Sequence, residues 1–290
     1  MENPLLVTVV VPFYKNRSWL GQALESIQNQ TYPAIEVIVV NDGSIEDISD
    51  LMEKYNNFSF VKTVNAGAGA ARNKGIGISN GDYICFLDSD DLWEKDKIQK
   101  QLLFMIKKGY SWSHTDYVKF WDDVPNKKVL MNLNFFGHII PKLFIYCPIA
   151  TPCVMIKRSI LVEDPNLRFA TEYRAGEDSY FWFKIAEKFE LGYLPEPLTK
   201  VRLRGKNAAY NPLLQLESKS QVYLLIKDRR DMFESNIEFL MIKFGFFLCF
   251  LFVSILKRFE HNKKLQNRIA YMFYSIPYIY LKLINKIFSL

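Results

Sequence analysis

The sequence is short of the residues that most often announce chemistry by themselves. Its 290 residues include four cysteines and three histidines. Cys85, Cys147, Cys153 and Cys249 show no paired spacing, and Cys85 and Cys249 sit inside apolar runs, where a thiol packs as a small hydrophobe. That argues against a disulfide framework and for a reduced compartment. His114, His138 and His261 are scattered and read as structural, and no Ser-His-Asp or Cys-His arrangement shows in the spacing. Internal repeats and low-complexity stretches are missing, so solenoid and fibrous classes drop out. Residues 1–4 lack the basic region of a secretory leader, and the apolar run behind them is short, so the expectation is a cytoplasmic protein. No zinc-finger, helix-turn-helix or aromatic RNA-binding signature accompanies the lysines and arginines, which argues against nucleic acid as a partner.

What is present is an ordered, unevenly charged chain. The length suits one large α/β domain with an appendage, or two modest domains. From residue 201 onward there are fifteen Lys and Arg against six Asp and Glu, so the first two hundred residues carry about −3 of the overall +6. A mildly acidic body with a basic, apolar and aromatic tail suggests a membrane surface.

The first ninety residues alternate between two periods. Apolar runs over residues 5–11 (closed by Pro12), 35–40, 58–64 and 83–87 predict four strands. Helical spacing appears between them, at Trp19, Leu20, Ala23, Leu24 and Ile27, then at Ile48, Leu51 and Met52, then from about Gly69. Continuous apolar strands alternating with helices predict a parallel sheet covered on both faces, and such sheets bind ligands beyond the carboxyl ends of their strands. Those ends carry Tyr14 and Asn16, then Asp42, then Asn65, then Asp88 and Asp90. Further on, residues 173–178 are polar and contain glycine, and Tyr180, Phe183, Ile185 and Ala186 mark a helix. Strands near 192–194 and 198–203 close the globular part, with a boundary expected at 205–212, where Gly, Asn and Pro interrupt the pattern.

Asp88-Ser89-Asp90 is the central chemical feature. Two carboxylates one residue apart after a buried strand can turn hard oxygens into one pocket, which suits magnesium or manganese. An acidic turn alone reads the same way, but Asp42, ending a second strand, strengthens the functional reading. Asn41-Asp42-Gly43-Ser44 reads equally as a turn that caps the next helix. In the stretch from Asn65 to Asn73, small residues open a helix with Arg72 one turn in, which suits an anionic diphosphate. A dinucleotide loop would follow the first strand rather than the third, and for the alanines tight helix–sheet packing is the better account.

Together these stretches resemble the family 2 glycosyltransferases of the GT-A fold. The resemblance runs through Val9-Val10-Val11-Pro12-Phe13-Tyr14-Lys15-Asn16, Glu36-Val37-Ile38-Val39-Val40-Asn41-Asp42-Gly43-Ser44, Ala70-Ala71-Arg72-Asn73-Lys74-Gly75, Phe86-Leu87-Asp88-Ser89-Asp90-Asp91 and Gly176-Glu177-Asp178, in order and spacing, and covers about residues 5–205. It implies an α/β catalytic domain over 1–205, with a mostly parallel central sheet flanked by helices, and a helical C-terminal appendage over 206–290. It also implies inverting, non-processive transfer of a hexosyl unit from a nucleotide diphosphate sugar, a UDP-sugar, to an acceptor hydroxyl. Pro12, Tyr14, Asn16, Asp42, Asn65, Arg72, Asp88, Ser89 and Asp90 would bind the nucleotide sugar. Asp42 would hold its uracil or ribose end, and Arg72 would lie against the base or the diphosphate. Asp90 would hold Mn2+ or Mg2+, and Asp88 would contact the ribose or the metal shell. Asp178 would be the general base, and Glu177, Asp91, Trp93 and Arg204 would shape the surroundings or the acceptor side. Two departures stand out. Arg204 occupies the place where many relatives carry a metal-reaching histidine, and an arginine cannot ligate a cation. The Gln-x-x-Arg-Trp element of processive synthases is absent.

Residues 244–256 are thirteen without a charge, bounded by Lys243 and by Lys257-Arg258, short of the roughly twenty a span needs; extending back to Ile237 gives the length but includes Glu238 and Lys243. Aromatics and basic residues interleave after Leu265. The expectation is a tail lying in the bilayer interface, suited to a lipid-linked saccharide acceptor of bacterial surface polysaccharide synthesis, with a packed helical hairpin as the alternative. Two other functions were weighed. A nucleotidyltransferase would show a basic, glycine-rich loop after the first strand, which 12–17 is not. An inactive sugar-nucleotide binder fits poorly with Asp42, Asp88, Asp90 and Asp178 all in place.

Overall fold

The computed structural model describes residues 4–124, 128–173, 175–204 and 211–288. The chain divides into two compact units, one of Met1–His138, Pro148–Thr171 and Tyr180–Arg204, the other of Ile139–Cys147, Glu172–Ser179 and Gly205–Leu290. The interruption expected at 205–212 falls largely on residues 205–210, outside the described residues.

In the first unit the apolar runs form strands. β1 (Val7–Phe13) is buried along its whole length and β2 (Ile35–Asp42) from Val37 onward. Burial on both faces is what a helix-covered parallel sheet demands. β3 (Ser59–Thr63), β2, β1 and β4 (Tyr83–Phe86) lie side by side in that order, all parallel, so their carboxyl ends share one edge. Between them run α1 (Arg17–Gln28), burying Leu20, Ala23, Leu24 and Ile27, then α2 (Ser49–Lys54) and α3 (Ala68–Ile78). The small residues of α3 pack tightly, as their composition suggested. Ala71 is buried, and a Cβ on Gly75 would stand 2.3 Å from Val10 Cγ1.

Pro12 was expected to end the first strand, yet it lies inside β1, paired with Val40. Val7 N–H donates to Ala34 on the β2 side, and alternation turns position 12 to the other side. There β4 reaches only to Phe86, opposite Val10, so the missing N–H costs no ladder bond.

Beyond β4 the sheet turns mixed. β8 (Met155–Lys157) pairs with β4 and with β6 (Trp112–Phe120), both antiparallel, and β6 also pairs antiparallel with β7 (Lys128–Met131). β9 (Leu191–Arg202) runs parallel to β6 and antiparallel to the short β5 (Leu92–Trp93). The two strands expected near 192–194 and 198–203 are thus one twelve-residue strand, which accommodates Pro195 and Pro197 beside a register shift at Thr115–Tyr117. The whole is an α/β fold with nine strands in one sheet among the described residues. α4 (Lys97–Lys108) and α6 (Arg158–Glu163) complete its flanks. α7 (Glu177–Ala186) starts three residues before its first expected residue, Tyr180. Glu177 and Asp178 fall in its first turn, where carboxylates are favoured by the helix dipole.

The second unit is helical. α8 (Pro212–Ile226) begins with Pro212 behind the cap Asn211, whose side chain accepts from the N–H of Leu213 and Leu214. α9 (Asn236–Leu256) and α10 (Lys263–Ile287) follow, with the short α5 (Lys142–Ile145) against α10. Leu216, Cys249, Leu256 and Ala270 form a small core there. α9 takes the longer of the two extents, running through Glu238 and Lys243. Ser235 Oγ accepts from Glu238 N–H at 3.0 Å and Glu238 Oε2 from Glu234 N–H at 2.9 Å, so the glutamate is consumed in capping the helix. The helix is 21 residues, and with its last turn reaches 24; its most apolar 18-residue window has a mean hydropathy of 2.5, enough to cross a membrane by length and composition.

Candidate functional site

The shared carboxyl edge of β3, β2, β1 and β4 gathers the polar groups expected of it. At the end of β2, Asp42 is buried, and its two oxygens accept from the backbone N–H of Ala66 at 2.9 Å and Gly67 at 2.8 Å. It thereby fixes the loop between β3 and α3. Gly43 makes this possible: its φ is +73°, and a Cβ there would stand 2.7 Å from Asn65 N. Asn65 itself is exposed on the loop. Beyond β1, Tyr14 is exposed under the Lys15 ammonium, and Asn16, at φ 72°, caps α1 through Trp19 N–H. Pro12 is buried in the strand, and Ser89 lies half-buried between the two aspartates.

Two ion pairs define the centre. Arg72, nearly buried on α3, donates from Nη2 to Asp88 Oδ1 at 2.6 Å, with its guanidinium 5.2 Å from the Phe169 ring centre. Arg204, just past β9, sets Nε 2.9 Å from Asp90 Oδ2. Burial, then repulsion from Asp88, pushes the Asp90 carboxyl above the ordinary carboxylate range, against the pull of Arg204 and Arg202. The buried Asp91 is pushed up further, by burial and then by Asp90 and Asp88, while its Oδ1 accepts the Arg202 backbone N–H at 2.8 Å.

Arg202 was not singled out from the sequence, although it sits two residues before Arg204. It is buried and spends every arm on this edge. Nε donates to the Asp90 carbonyl at 2.7 Å, Nη2 to Gln22 Oε1 at 2.7 Å and Nη1 to Asp122, and its guanidinium lies over Trp19 and Phe120. The acidic turn is therefore clamped by the last residue of β9. Trp93, expected in the surroundings of the site or on the acceptor side, lies in the short β5. It is buried, its indole N–H donates to the Pro152 carbonyl at 2.8 Å, and the Lys97 ammonium lies 4.0 Å from its ring centre.

Asp88 and Asp90, each paired with an arginine, are the two carboxylates of the acidic turn that a divalent cation could share; among the described residues no cluster of three or more His, Cys, Asp or Glu is arranged to hold one. Two hard carboxylates nevertheless fit magnesium or manganese, which keep waters and take phosphate oxygens as further ligands. Glu177 and Asp178 belong to the second unit, half-buried, with Asp178 Oδ1 accepting from Ser179 N–H at 2.6 Å.

The glycosyl transferase family 2 profile matches residues 8–163, more than half of the chain. The chain belongs to that family. An uncharacterised glycosyltransferase of Rickettsia bellii (strain RML369-C) is 40% identical over 210 residues, covering 71% of this chain and 30% of its own. The chain spans about a third of the length of the three rickettsial relatives it matches over some two hundred residues. Among solved structures, S. aureus TarS 1–349 in complex with UDP-GlcNAc superposes with a TM-score of 0.66 at 19% identity, covering 84% of this chain and 72% of that one. The mannosyltransferase PcManGT from Pyrobaculum calidifontis, in complex with GDP-Man and Mn2+, gives 0.61 at 16% identity, covering 96% and 88%. These two share the fold, and the family 2 motifs account for the parallel edge and its carboxylates.

Proposed function

We propose that this chain is an inverting glycosyltransferase that moves one hexosyl unit from a nucleotide diphosphate sugar, a UDP-sugar, to the hydroxyl of a lipid-linked saccharide. The observation that carries the reading is the meeting of Arg72 with Asp88 and of Arg204 with Asp90 at one sheet edge. Guanidinium groups match phosphate oxygens, and the exposed loop held by Asp42 offers a surface for the nucleoside. Relatives of the same fold that carry UDP-GlcNAc or GDP-Man support this donor class.

Asp88 and Asp90 would hold the divalent ion, which when bound supplies positive charge to the departing diphosphate. Arg72 orients the diphosphate from α3. Asp178 takes the proton of the acceptor hydroxyl, whose oxygen bonds to the anomeric carbon as the carbon–oxygen bond to the diphosphate breaks. Attack from the face opposite the leaving group inverts that carbon. The nucleoside diphosphate departs with the bonding pair. The basic, apolar second unit would lie on the inner face of the cell membrane, where a lipid-linked acceptor of surface polysaccharide synthesis is met.

Thermal-shift screening of nucleotide sugars with manganese, followed by product analysis, tests the reading. A UDP-sugar should raise the midpoint and be consumed, chelator should abolish turnover, and Asp90→Ala should do the same with the fold intact. Full turnover in chelator removes the metal role. The absence of binding by any nucleotide sugar removes the proposal.

A further inference from the structure

Three arginines face the acidic turn, and they are not equally held. Arg202 is buried and tied to Asp122, Gln22 and the Asp90 carbonyl. The Arg72 side chain is 5% exposed and rests against Phe169. Arg204 differs: its side chain is 45% exposed, it lies beyond the last residue of β9, and its Nε contacts Asp90 Oδ2, a carboxylate oxygen that a divalent ion would need. Its guanidinium is 5.8 Å from the Trp19 ring centre, a ring it shares with Arg202. An arginine keeps its charge at any working pH and has no lone pair to give a metal, so it competes with a cation at Asp90 and cannot join it.

We propose that Arg204 is an exchangeable counter-cation that makes metal binding conditional on the donor. It closes Asp90 while the site holds no donor, a divalent ion displaces it, and the freed guanidinium turns to the diphosphate. Metal alone must break the Arg204–Asp90 ion pair. With nucleotide diphosphate also bound, the displaced guanidinium meets phosphate oxygens, so metal and nucleotide tighten each other by the same factor. The inference rests on the reading of Asp88 and Asp90 as the metal-holding pair.

Manganese titrated into the full chain, with the free ion read by electron paramagnetic resonance in the presence and absence of UDP, tests it. Wild type should bind Mn2+ weakly alone and more tightly with UDP. Arg204→Gln should tighten Mn2+ binding without nucleotide by roughly two- to fivefold, the order expected of a half-exposed ion pair, and shrink the gain from UDP. Arg204→Ala should act alike, and Arg204→Lys, which keeps the charge, should stay near wild type. Asp90→Asn separates the two levels. If it leaves Mn2+ binding unchanged in the Arg204→Gln background, the metal reading itself fails. If it weakens Mn2+ binding while neither Arg204→Gln nor Arg204→Ala tightens it, the metal reading stands and the role of Arg204 is overturned.

Discussion

Asn73 and Phe169 exchange two hydrogen bonds: Asn73 Nδ2 donates to the Phe169 carbonyl at 2.8 Å, and Phe169 N–H donates to Asn73 Oδ1 at 3.0 Å. The pair ties α3 to a loop residue whose ring meets Phe86, Phe181 and Trp182 and underlies Arg72. Asn73→Ala should strand both backbone partners and cost about 1–3 kcal/mol in urea unfolding. Because Arg72 loses its platform, nucleotide affinity should fall as well. An unchanged unfolding midpoint would show that water replaces the amide.

Much of the site was legible because strands buried on both faces read as unbroken apolar runs, and the residue after each run then lies on the binding edge. Asp42, Asp88 and Asp90 follow from that rule, and Arg72 from the small residues that open α3. Pairings distant in sequence were not legible. Nothing local links Asn73 to Phe169, or Arg202 to Asp122 and Gln22. The place of Glu238 inside a long apolar helix was hidden for a similar reason, since only the folded helix shows that this charge serves its own cap.

Asp178→Asn separates binding from chemistry. The amide keeps the size and an acceptor oxygen for Ser179 N–H but cannot take a proton. Nucleotide-sugar affinity should hold while transfer falls by about 10²–10⁴-fold. Equal loss of both would make Asp178 structural, and near-normal transfer would move the base elsewhere, with Glu177 the first to test.

His114 predicts an acid limit to stability. It is fully buried, its Nε2 is 2.6 Å from the Phe135 carbonyl, and its ring stacks on Tyr193. Burial lowers its pKa from the usual 6.5 to about 4, so the fold holds the neutral imidazole. The unfolded chain therefore binds the extra proton between those values. Stability from this group is complete above about pH 6.5 and is lost as pH falls toward 4, up to about 3 kcal/mol. In urea unfolding at pH 7 and pH 4.5, His114→Gln should lose less stability than wild type across the interval. An identical drop in both proteins would mean that carboxylates alone set the acid limit.

The second unit predicts how the chain meets a membrane. On α9, Ile237, Leu240, Phe244, Phe247 and Leu251 are exposed at alternating spacings of three and four, an apolar stripe down one face. On α10, Met272, Ile276, Ile279, Leu283 and Ile287 form a second, with Arg268, Lys282 and Lys286 also exposed. Apolar stripes beside basic residues suit an interface, where each lysine or arginine adds about 1 kcal/mol of attraction to anionic lipid. A span makes a different demand: α9 is long enough, yet 28% of its apolar window is buried within the protein and Lys243 lies inside it, donating to the Lys227 carbonyl at 2.6 Å. The full chain should therefore float with vesicles containing phosphatidylserine or cardiolipin, bind neutral vesicles poorly, and come off in high salt or alkaline carbonate. Leu240→Glu with Phe247→Glu, both at exposed positions, should abolish flotation and leave nucleotide binding intact. Carbonate-resistant pelleting would show that α9 crosses the bilayer, and indifference to every vesicle would mean that these stripes meet protein instead.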